Sequence, residues 1–295
     1  MPISALLLAI TTICLWGFQA AIVNRLSHLP PLFLIGVSLT LCGLFTIPWI
    51  KTWKVPLKTF LIGVGSLFGY HFLLFTSYQY ADVVEANIIN YLWPLFIVVF
   101  SPLYLKNSSL RAYHIVGAVL GMVGVWLIIT NGKLVFLGSN YFGYILAFLA
   151  ALVWSNYSLI TKRLPAFADT AVCGFCFFAG LIACAVYSSE ANIVRSIINL
   201  TIRDWGYLLT LAIGPMTIGL FTWSAALKRG DARIIGALSY LTPMLSTLFL
   251  VILNKNTLTW ISFGAMCLIV LGAIIGSRDL FTRKNSRTVP LKKNT

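Results

Sequence analysis

The chain has 295 residues, 59% of them hydrophobic and only 9% charged, with a mean hydropathy of +0.92. Soluble domains average roughly half apolar and a quarter charged residues, so a water-soluble enzyme or binding module is excluded and an integral membrane protein is indicated. The formal net charge is +14, yet Lys and Arg lie between apolar runs and at the C-terminal end rather than in one patch, which speaks for membrane topology and against nucleic acid.

Ten stretches of 20 or more residues lack Asp, Glu, Lys and Arg: 2–24, 26–50, 59–81, 86–105, 112–132, 134–161, 170–189, 205–227, 234–254 and 256–277. About 20 residues cover the hydrocarbon core, so an all-α protein with ten transmembrane helices is expected. The first stretch has no basic residue before it, exceeds a signal-peptide core and carries Thr11, Thr12 and Trp16, so it reads as a retained helix. With an inside N-terminus, 16 Lys and Arg fall inside, among them Arg111, Lys162, Arg163, Lys228, Arg229 and the tail, against five outside: Arg25, Lys133, Arg195, Arg203 and Lys255. Both termini are therefore expected in the cytoplasm. All six cysteines fall within apolar stretches, and Cys173-x-x-Cys176 reads as helix packing rather than a redox motif.

Further along, 86–105 holds Asn90-Tyr91-Leu92-Trp93-Pro94 and 234–254 holds an echo, Ser239-Tyr240-Leu241-Thr242-Pro243. A proline in a membrane helix removes the hydrogen bond to the carbonyl four residues earlier, that of Asn90 or Ser239, so two interrupted helices are expected. The echo belongs to a longer repeat. Trp16 matches Trp154 and Arg25 matches Arg163 at a separation of 138, while Asp82 matches Asp231, Tyr91 matches Tyr240 and Pro94 matches Pro243 at 149. The extra 11 or so residues are placed in the polar 188–204 segment, expected as an outside loop. Two five-helix units follow, 1–137 and 138–277, with a basic tail at 278–295. Five being odd, the second unit enters the membrane inverted. Asp82 and Asp231 precede the interrupted helices as dipole caps. Gly117-x-x-x-Gly121 and Gly272-x-x-x-Gly276 are close-packing faces, joining either two subunits or two helices of one chain.

Interrupted helices at matching places point to a substrate site at the midplane. Asn87 and Asn90 share a face with Tyr91 and Pro94 nearby; Ser239 and Thr242, with Tyr240 and Pro243 beside them, offer the matching side; Tyr70, Tyr78 and Tyr157 crowd the equivalent depth, and Trp16, Trp93, Trp154 and Trp223 suit the interfacial belts less well than Trp49, Trp53, Trp205 and Trp260. Such a cavity suits a flat, partly apolar solute with a polar end. His71, mid-stretch, reads either as a packing histidine or as a proton relay. No P-loop, metal cluster or nucleophile motif is present in the sequence, so no enzyme activity, cofactor or metal is expected.

The whole of 1–277 resembles the drug/metabolite transporter superfamily in its ten-helix EamA branch, and Asn90-Tyr91-Leu92-Trp93-Pro94 with Trp154-Ser155-Asn156-Tyr157 is similar to the pattern of bacterial aromatic amino-acid exporters. That resemblance implies an inner-membrane location, alternating access, and a central cavity lined by Tyr91, Trp93, Trp154 and Ser239; His71 departs from the pattern. The expected function is export of amino acids, aromatic ones first, by a protein acting as a monomer, with a homodimer as the alternative. A permease for another metabolite or drug, or a receptor or scaffold without flux, remains the alternative reading.

Overall fold

The computed structural model describes residues 1–81, 83–105, 110–130, 132–133, 141–254 and 259–278. Asp82, Lys106, Lys255 and the tail beyond Arg278 lie outside them. The described residues form helices and short turns with no strand, as a bilayer demands of a chain that must satisfy every backbone group within its own segment.

In chain order the helices are α1 (Ile3–Arg25), α2 (Pro31–Phe45), α3 (Leu57–Tyr80), α4 (Val83–Asn90), α5 (Trp93–Tyr104), α6 (Ala112–Thr130), α7 (Tyr141–Ile160), α8 (Ala171–Glu190), α9 (Ile193–Ile198), α10 (Ile202–Leu211), α11 (Leu220–Arg229), α12 (Ala232–Ser239), α13 (Leu241–Asn254) and α14 (Trp260–Gly276). A 3-10 segment, Ile47–Trp53, follows α2, and a π-helical segment, Ala212–Gly219, joins α10 to α11.

Seven helical segments are long and apolar enough to cross a membrane, or eight if α2 and the 3-10 segment count as one. The ten stretches expected to span differ from this count at three places. The 26–50 stretch bends by 90° after Phe45, where Pro48 removes a donor and Thr46 Oγ1 turns back onto the Cys42 and Gly43 carbonyls. Trp49 and Ile50 are then exposed along a short segment that carries Lys51. The 234–254 stretch is divided at Tyr240, and α14 is 17 residues long, about 25 Å. The polar 188–204 segment is not a plain loop either: it contains α9, with Val194 and Ile198 exposed, and leads into a capping box in which Thr201 and Asp204 satisfy each other's backbone N–H groups at the start of α10.

The most extensive packing is α6 on α14, then α2 on α8 and α3 on α7. Glycine permits the first: a Cβ on Gly117 would lie 2.4 Å from the Gly276 nitrogen, and one on Gly272 would lie 2.6 Å from the Gly117 carbonyl oxygen. Both glycine motifs are thus used within one chain. α1 packs on α11 and α13, while α5 packs on α7 and α12.

Candidate functional site

The two proline motifs fold differently. In the first, α4 stops at Asn90, Tyr91 and Leu92 form a turn in which the Leu92 N–H donates to the Ile89 carbonyl (3.1 Å), and α5 begins at Trp93. Pro94 is the second residue of α5, where a missing N–H costs nothing. In the second, only Tyr240 separates α12 from α13, its N–H donating at 3.4 Å to Ala237. The interruption therefore falls two to three residues before each proline. Asp231 caps α12 by accepting from the Arg233 N–H at 3.0 Å.

Beside these breaks lies a cavity of about 380 Å³, lined by residues of α1, α2, α3, α4, α5, α7, α10, the π segment, α11 and α13. Of the residues expected at the site, Trp16, His71, Tyr78, Asn87, Asn90, Tyr91, Trp93 and Trp154 line it. Five do not, and each has a physical reason. Pro94 is buried with its carbonyl against Gly236 of α12. Tyr157 is buried behind Trp154, with ring centroids 5.8 Å apart, and borders a separate lipid-side groove between α3 and α7. Ser239 Oγ turns onto its own helix and donates to the Ile235 carbonyl (2.7 Å). Tyr240 is enclosed by Gly121, Val98, Ala118, Val125 and Ile269. Pro243 is buried in the first turn of α13.

The expectation missed Gln19 and Ser246, which line the wall, although Gln19 follows Trp16 by three residues and Ser246 follows Thr242 by four, each on a shared helical face. It also missed the π segment, which brings Met216 to the wall. There Thr217 Oγ1 donates to the Ala212 carbonyl (2.7 Å) across the wide turn that Pro215 interrupts, a kind of irregularity frequent at functional sites.

An aromatic floor closes one end. Trp16, Trp93, Trp154 and Trp223, each from a different helix, pack with centroids 5.2–6.4 Å apart, and Tyr70 lies 5.0 Å from Trp154. Trp16 Nε1 donates to the Pro215 carbonyl and Trp223 Nε1 to Ser158 Oγ, both at 3.2 Å, which fixes two of the rings. Polar groups sit above. Tyr78 donates to Asn87 Oδ1 (2.8 Å), and Asn90 Nδ2 donates to the Tyr70 hydroxyl (3.4 Å). His71 Nδ1 pairs with the Leu67 carbonyl (2.7 Å), so this nitrogen carries the proton. Among the described residues, no Asp, Glu, Lys or Arg lines the cavity.

Met1 lies against Gly230 and so marks one face of the molecule. The cavity occupies the half away from it, reaching Val23 near the end of α1 and Tyr78 near the end of α3. Beyond the tryptophans, the Met1 face is closed by charge. Asp169 pairs with Lys228 (2.9 Å) and Arg229 (2.7 Å), Lys162 binds the Leu227 and Gly230 carbonyls, and Arg163 binds the Leu103 and Tyr104 carbonyls at the end of α5. Cations suit these helix C-termini. Burial pulls the Lys162 pKa below the ordinary lysine value, against the nearby Asp231 charge.

Known proteins share this plan. The chain is 33% identical over 284 residues to an aromatic amino acid exporter, YddG, of Ancylobacter novellus, covering 93% of this chain and 97% of that one. It is 24% identical to a probable amino-acid metabolite efflux pump of Salmonella typhimurium (95% and 97% covered) and 25% identical to a biotin transporter of Escherichia coli (96% and 95%). A crystal structure with 31% identity superposes with a TM-score of 0.81, covering 93% of this chain and 98% of its own. The EamA-like transporter family model matches twice, over residues 3–130 and 141–278. A multi-pass helical protein with a solute-sized cavity between its helices, matched from end to end, therefore belongs to the EamA-like transporter family.

Proposed function

We propose that the chain carries amino acids, aromatic ones first, across the inner membrane by alternating access of two inverted five-helix units, 1–137 and 138–277, with both termini in the cytoplasm. The observation that carries this reading is the cavity itself: Trp16, Trp93 and Trp154, backed by Trp223, beside hydroxyl, amide and imidazole groups, with no fixed charge among the described lining residues. Aromatic floors favour flat apolar side chains, and a charge-free wall accommodates a zwitterion of zero net charge. The names of the amino-acid exporters and efflux pump among its relatives support the same reading.

Packing supports the inverted repeat. Numbering the ten apolar stretches in order, the fifth packs on the tenth and the second on the seventh, and the third and fourth pack on the sixth as the eighth and ninth pack on the first. Exchanging the halves leaves that pattern unchanged. In the alternating cycle Arg25 takes up on the other face, at the end of α13, the latch that Arg163 now makes at the end of α5.

Uptake of labelled amino acids into proteoliposomes tests the substrate class, with biotin as competitor. Phe, Tyr and Trp are expected to be carried and to compete with one another; an absence of flux for the whole amino-acid panel would overturn the reading in favour of another metabolite or a protein without transport. Topology is tested by labelling Lys255→Cys and Arg229→Cys from either side of the membrane. They should report opposite faces, and the same face for both would refute the inverted repeat.

A further inference from the structure

The polar wall of the cavity is unevenly equipped. Asn90 is 5% and Thr242 6% exposed, and both line the cavity, yet Asn90 Oδ1 and Thr242 Oγ1 have no partner among the described residues. A buried polar atom left unmade costs about 1–3 kcal/mol, so two on one wall call for something that satisfies them. Asn90 spends one of its two N–H donors on Tyr70, and the carbonyl oxygen is the atom with no partner at all. His71 adds a second acceptor: with the Nδ1 proton committed to the Leu67 carbonyl, Nε2 of the neutral ring can only accept. Among the described residues, no lysine or arginine on the wall offers a counter-charge to an anion.

We propose that Asn90 Oδ1 and Thr242 Oγ1, beside His71, form an ammonium-reading subsite, so that the cavity holds an aromatic solute by its protonated amine and rejects the same solute reduced to its carboxylate. Asn90 precedes the first helix break and Thr242 follows the second, so a single bound ammonium group bridges the two units. An amide turns freely about its last torsion, which lets Oδ1 rotate onto a donor that has arrived. The rings of Tyr70 and Trp154 present further electron-rich faces to a cation. The subsite deepens the amino-acid reading given above and rests on the same cavity, but its test does not need flux.

Purified full-length protein in detergent is titrated with phenylethylamine and with 3-phenylpropionate, which share a ring and differ in the charged end, and binding is read by calorimetry. The wild type is expected to bind phenylethylamine at least about tenfold more tightly; Asn90→Leu and Thr242→Val, each checked for an unchanged elution profile, are expected to bring the ratio within about threefold. Should Asn90→Leu fail to fold, Thr242→Val, which keeps the side-chain shape, carries the test. Equal binding of the two ligands, binding of neither, or a ratio that survives the substitutions overturns the subsite. Retention of the amine preference by a protein that carries no amino acid in proteoliposomes would uphold the subsite and overturn the amino-acid reading alone.

Discussion

Arg25 and Arg163 stand at corresponding places, the one closing α1 and the other just past α7, each helix bearing a tryptophan, and they do different things. Arg163 donates to the Leu103 and Tyr104 carbonyls, and about two helical turns earlier Asn156 Oδ1 accepts from the Tyr104 hydroxyl, so α5 and α7 are tied together at the Met1 face. Arg25 is exposed, with no partner among the described residues. Among the described residues, one basic residue thus ties two helices together and its counterpart in the other unit does not. The alternating access proposed above would use that difference, with the two units exchanging the tie between faces.

The comparison breaks first where both faces share a support. Gly117→Leu places a side chain where a Cβ alone would lie 2.4 Å from the Gly276 backbone. Parting α6 from α14 should cost about 3 kcal/mol or more, read as loss of monodisperse protein and of both faces together. The tryptophan floor divides the two ends. Trp93→Ala should lower the preference for Phe over Thr in competition uptake by roughly two- to tenfold, since an aromatic contact contributes about 0.5–1.5 kcal/mol beyond burial; an unchanged preference at normal expression would take Trp93 out of the substrate's reach.

Smaller effects sharpen the contrast. Arg163→Ala removes exposed charge-assisted bonds worth about 1 kcal/mol, so thiol labelling of Ser101→Cys, fully buried one turn before the latch, should quicken about fivefold from the Met1 face, whereas Arg25→Ala should leave it unchanged. Asp231 is the least. Burial pushes its carboxyl up, but the hydrogen bonds and charge of Arg233 prevail and hold it below its ordinary value. A depressed carboxylate contributes stability above its unfolded pKa and loses it as pH falls through the folded one. Asp231→Ala should therefore lower thermal stability by about 1 kcal/mol at neutral pH, and the gap from wild type should close below about pH 4.

Much of this was legible in the chain because its signals are local. Charge-free stretches of membrane length mark the helices, and Trp16, Trp93 and Trp154 converge because each stands out from an interfacial belt. The failures share one cause. Tyr240 occupies the position of Tyr91, yet a single-residue kink before α13 turns it against Gly121, while the wider turn at Tyr91 and Leu92 leaves Tyr91 on the cavity wall. Ser239 likewise bonds to its own helix where Asn90 reaches Tyr70. A repeat in sequence equates positions, not states. Nor does hydropathy foretell the 90° bend after Phe45 or the π turn at Ala212–Gly219, which depend on how a proline's missing donor is absorbed by its neighbours.

The central claim is that the latched face must open for a solute to pass. A Tyr104→Cys and Asn156→Cys pair, bridged by a short flexible bis-maleimide in proteoliposomes, measures this directly, with each single-cysteine protein treated alike as control. The account predicts that the bridged protein still binds Phe but no longer carries it, while both single-cysteine proteins keep their flux. Undiminished Phe flux with the bridge complete would contradict it.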